Sequence, residues 1–68
     1  MKSKPVDPSE WIECGHVAVR TRSVLTAARV AAKVHRSRQA GMRLIAGRQV
    51  EFMCLARFRE TLAASEAS

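Results

Sequence analysis

Between Cys14 and Val50 the sequence has no aspartate and no glutamate. All six acids (Asp7, Glu10, Glu13, Glu51, Glu60 and Glu66) lie outside that block. No run of apolar residues approaches the ~20 needed to span a bilayer, so no membrane partner is expected. "MKSKPVDPSEW" starts basic, but no apolar stretch follows it, so no export signal is read and a cytoplasmic protein is expected. Cysteine is scarce: Cys14 and Cys54 carry no framework spacing and are expected reduced and packed. With 68 residues there is room for one small domain and little room for a substrate cleft. No catalytic set, no metal site and no cofactor are therefore expected. Cys14, His16, His35 and Cys54 are suitable zinc ligands by type, but no tight Cys-x-x-Cys pair anchors them.

The acid-free block holds Arg20, Arg22, Arg29, Lys33, Arg36, Arg38, Arg43 and Arg48, and the chain carries a net charge of +6. Uncompensated cations on one part of a small domain attract polyanions, nucleic acid first and acidic protein surfaces second. Arginine dominates the block, and its planar fork suits phosphate and guanine better than lysine does.

Residues 1–6 read as a flexible arm, residues 7–64 as a single helical domain and residues 65–68 as a frayed tail. "DPSEW" is a helix start, with Asp7 as cap and Pro8 at the first helical position. A helix from about Pro8 is expected to continue through "HVAVRTR", although that run alternates and would also suit a short strand. Leu25, Ala28, Ala31, Ala32 and Val34 recur at helical spacing, with Ser23 or Thr26 as cap. "HRSRQAG" interrupts that period, and Ser37 can cap a new helix. In "MRLIAGRQVEF", Met42, Leu44 and Ala46 alternate, and "AGRQ" could turn a hairpin. Phe52, Leu55, Ala56, Leu62 and Ala63 form a stripe, with Phe58 beside it, predicting a helix over Val50–Ala64. Trp11 is expected in the core.

The stretch from Leu25 resembles the helix-turn-helix of phage Cro-type repressors. The matching residues are Leu25 and Thr26; Val30, Ala31 and Val34; Ser37, Arg38 and Gln39; and Arg43, Leu44, Gly47 and Arg48. "VEFMCLARFRETL" resembles the helix that follows in such proteins, so the likeness covers residues 25–62. It implies an all-α, dimeric DNA-binding transcriptional regulator with its motif at residues 27–46. By that resemblance Arg38 and Gln39 would contact bases, and Arg36, Ser37, Arg43 and Arg48 would contact phosphates of duplex DNA. Two alternatives stand beside it. One takes Arg36 and Gly41 as an exposed connection in an antiparallel two-helix hairpin. This would be a phage- or plasmid-type protein that modulates a host protein with an acidic surface. The other is a small α+β domain with a strand at residues 16–22 and a hairpin at residues 42–55.

Overall fold

A computed structural model of the chain describes residues 6–67. A single 3-10 turn, Pro8–Glu10, leads into strands β1 (Ile12–Cys14) and β2 (Val17–Val19). Helix α1 (Val24–Lys33), strands β3 (Ala40–Ile45) and β4 (Arg48–Cys54) and helix α2 (Leu55–Ala67) follow. The strands form one antiparallel sheet in the order β1-β2-β4-β3.

The fold is therefore α/β, which corrects the all-α expectation. Neither the helix-turn-helix at residues 27–46 nor the two-helix hairpin is formed, because the chain is extended from Ala40 to Ile45. The expected helix at Val50–Ala64 is likewise β4 up to Cys54, and only then α2. The helix start at Asp7 yields one turn. Asp7 accepts hydrogen bonds from the Ser9 hydroxyl (2.7 Å) and the Ser9 N–H (3.0 Å), after which the chain extends. These two bonds, the hydroxyl first, with help from the charge of Arg22, hold the Asp7 carboxyl below the usual carboxylate range. Their contribution is complete above that range and fades as the pH falls through the lowered value. The arm expected at residues 1–6 lies outside the described residues except for Val6, as does Ser68 of the expected tail.

Strand alternation divides the core in two. Val17 and Val19 of β2, Ile45 of β3 and Val50 and Phe52 of β4 point to one face, where they pack with Ala27, Val30 and Val34. Ala18 and Met53 point to the other and pack with Phe58, Leu55 and Leu62 of α2. One helix thus covers each face. β2 is buried on both sides, which is why "VAV" shows no alternation of polar and apolar residues. Trp11 joins the α2-side cluster, its ring centroid 5.5 Å from that of Phe58.

Local chemistry fixes the joints. Ser23 caps α1, its hydroxyl accepting from the Thr26 N–H at 3.2 Å. At the far end of the helix, the His16 imidazole Nε2 donates to the Val34 carbonyl at 2.9 Å. This ties the helix C-terminus to the β1–β2 turn. Cys14 and Cys54 are both free and both pair with Val17, from opposite sides. They are thus two strand spacings apart, about 9.5 Å, too far for a disulfide.

The β3–β4 turn consists of Ala46 and Gly47, with φ of 51° and 79°. Positive φ at both central residues is the type I′ turn, which suits Asn-Gly and strains alanine. Ala46→Asn is therefore expected to stabilise the domain by about 1 kcal/mol. A thermal melt checks this, with a rise of about 4–8 °C expected for a domain of this size.

Candidate nucleic-acid interface

Four of the residues expected to touch DNA lie in the connection between α1 and β3. Residues His35 to Arg38 form a tight turn closed by the Arg38 N–H donating to the His35 carbonyl at 2.9 Å. Ser37 is held inside it: its N–H donates to His35 Nδ1 at 3.2 Å, and its hydroxyl lies 2.7 Å from the same nitrogen. Ser37 therefore braces a turn and caps no helix. Arg36 and Arg38 project from the turn into solvent.

Arg38 reaches along the sheet. Its guanidinium lies 3.9 Å from where a Cβ on Gly41 would stand, and that Cβ would also meet the Phe52 ring at 3.1 Å. Gly41 thus leaves room for both, and Arg38 lies on the α1 side of β3. Arg43 shares that side, two residues along the strand and paired with Val50. Arg48 is on the same side, paired with Ile45 across the turn. It lines a cleft at the start of α1 with Arg20, Arg22, Thr26, Gln49 and Val50. The fold so gathers Arg38, Arg43 and Arg48 onto one face of the open sheet edge.

Gln39 is placed elsewhere. Its carbonyl accepts from the Cys54 N–H at 2.7 Å, and it borders a groove with Ala56, Arg57 and Glu60 of α2. The expected base-reading pair, Arg38 and Gln39, is split between two surfaces.

Two cations on α1 were assigned no role from sequence. Arg29 and Lys33 are four residues apart on one face of the helix, and both are exposed. Ala27 and Val30 take the buried positions. The signal that could have found the two cations was the acid-free block itself, which begins before α1 and runs through it.

The acids occupy the other side. Glu13 and Glu51 alternate with α1-side residues and so face α2. Glu51 lies 3.6 Å from Arg20, which also reaches Glu10 at 3.2 Å, while Glu13 meets Arg59 of α2 at 3.3 Å. Among the described residues, ion pairs engage Arg20 and Arg59, and none forms at Arg22, Arg29, Lys33, Arg36, Arg38, Arg43, Arg48 or Arg57. The distribution is therefore uneven: the α2 side mixes Glu13 and Glu51 with Arg20, Arg57 and Arg59, while Arg38, Arg43 and Arg48 on the α1 side meet no carboxylate.

Among the described residues no helix is long and apolar enough to cross a membrane. Comparison with protein-family models, with curated proteins and with solved structures returned no match, so the geometry stands by itself.

Proposed function

We propose that the chain is a nucleic-acid-binding module that takes a duplex against the α1 side of its sheet. The observation that carries this reading is the cluster of cations that meet no carboxylate on and around the α1 side of the sheet. Six cations without carboxylate partners (Arg29, Lys33, Arg36, Arg38, Arg43 and Arg48) project from α1, the turn after it and the β3–β4 hairpin. A duplex carries one negative charge per about 1.7 Å of axis and releases condensed counterions when such groups neutralise it. Arginine forks in the turn and on β3 and β4 can hold phosphate oxygens and so set the register of the domain. The exposed side of α1 carries the small Ala28 and Ala32 beside Arg29 and Lys33, with the larger exposed Val24 and Leu25 confined to its first turn.

A duplex fits better than a single strand. Single-strand binders stack bases on exposed aromatic rings. Here Phe52 and Phe58 are buried, and Trp11 packs with Phe58 on the opposite side of the sheet.

The test is fluorescence anisotropy with a labelled duplex at low salt. Binding is expected for the native chain. Arg43→Ala is expected to weaken it for all sequences alike and to lower the salt slope by about one unit. Arg57→Ala, on α2, is expected to leave it unchanged. Absence of duplex binding at low salt would overturn the reading.

A further inference from the structure

Among the described residues β3 ends the sheet, and no strand pairs with its outer edge. Which of its backbone groups point outward follows from the hairpin. Gln39 pairs inward, its carbonyl taking the Cys54 N–H. Ile45 flanks the two-residue turn opposite Arg48 and also pairs inward. By alternation Gly41 and Arg43 do so too, which leaves the N–H and C=O of Ala40, Met42 and Leu44 unpaired along the edge. The side chains of Met42 and Leu44 stand on the α2 side, 54% and 64% exposed. α2 packs over β2 and β4 and leaves them open. A solvent-facing strand position ordinarily carries a polar side chain. On the other side of the same edge stand Arg43 and, over Gly41, the Arg38 guanidinium.

We propose that the β3 edge is a docking site for an extended segment of another protein in which apolar and acidic residues alternate. Such a segment adds a fifth strand. Its backbone pairs with Ala40, Met42 and Leu44, its apolar residues lie against Met42 and Leu44, and its carboxylates lie against Arg43 and Arg38. Charge selects this occupant over a second copy of the chain. A second copy would bring its own Arg38, Arg43 and Arg48 to the shared edge, with no acid on that side to meet them. The proposal does not depend on the nucleic-acid reading.

The probe is a short fluorescein-labelled peptide of alternating valine and glutamate. Its controls are the valine–lysine counterpart and a peptide of the same composition with the glutamates and valines in separate blocks. The alternating acidic peptide is expected to bind and to slow hydrogen exchange at the amides of Ala40, Met42 and Leu44. Both controls are expected to bind about tenfold more weakly, or worse. Met42→Pro removes an outward N–H at a position where an edge strand tolerates proline, and is expected to abolish binding. Arg43→Glu, a surface change that leaves the backbone intact, is expected to transfer preference to the valine–lysine peptide. Equal binding of the block peptide, or protection confined to other amides, would overturn the proposal. So would a dimer by sedimentation with these three amides already protected, since a second copy would then hold the edge. Duplex binding, present or absent, alters none of these results.

Discussion

Raising the salt from 50 to 200 mM is expected to weaken duplex binding by about a thousandfold. The figure follows from the six cations of α1, the turn after it and the β3–β4 hairpin that lack carboxylate partners. If each neutralises one phosphate, the logarithm of the association constant falls with the logarithm of salt at a slope of about −5. A fourfold rise in salt then removes about three decades. A steep slope requires that the cations act together on one polyanion, which is what their shared side of the sheet provides. The measurement is anisotropy across a salt series. A slope near −1 would mean that the cations are a solvated face with no common partner. Arg20 and Arg59 are already engaged by Glu10, Glu51 and Glu13, so replacing them is expected to change the slope little.

The largest expected effect on stability is at Phe52. Its ring is 2% exposed and lies at the centre of the α1-side cluster, against Gly41 and between the valines of β2 and Val50. Phe52→Ala removes the largest side chain of that cluster and is expected to cost about 3–5 kcal/mol. A domain of this size has a total stability of roughly 3–10 kcal/mol, so the variant is expected to be largely unfolded at physiological temperature. The contrast with Met42→Ala sharpens the test: Met42 is exposed on the edge strand, and its loss is expected to stay within about 0.5 kcal/mol. Urea titration of the two variants measures both. Comparable losses would mean that the cluster around Phe52 is not the core.

Phe52 also shows what the amino-acid sequence conceals. With Leu55, Ala56 and Leu62 it makes a helical stripe, and nothing between Cys54 and Leu55 marks a change of structure. β4 passes into α2 without glycine, proline or a connecting loop, so one periodicity hides two elements, with Phe52 on the α1 side of the sheet and Leu55 and Leu62 on the other. β2 is obscure for another reason. A central strand buried on both faces has no polar alternation, and "VAV" sits beside an alanine-rich helix that sets the apparent period. The features that were legible are those with a local cause. Ser23 caps α1 from its own hydroxyl. The alternation of Met42 and Leu44 and the "AGRQ" turn mark the β3–β4 hairpin, and the α+β alternative drawn from them overlaps β2, β3 and β4 but has no counterpart of β1. The basic side was legible as a gap in the acids, although the resemblance to a helix-turn-helix placed its residues on a helix that does not form. Ser37 and Gln39 were read from that helix and lose their assigned geometry with it. Arg36, Arg38, Arg43 and Arg48 keep their exposure because charge is read independently of secondary structure.

The strand order has a consequence for how quickly the domain assembles. The β1–β2 and β3–β4 pairs are hairpins with two-residue turns, and such units close in microseconds. The sheet is complete only when β2 meets β4, with Val17 against Cys54 and Val19 against Phe52, across a loop that contains all of α1 and β3. The entropy of closing that loop is lost before either helix has a complete sheet to cover, so this junction is expected to set the folding rate. Two preformed halves then wait on a single joining event. Until it occurs, both flanks of the future central pair present bare strand edges to any other chain nearby.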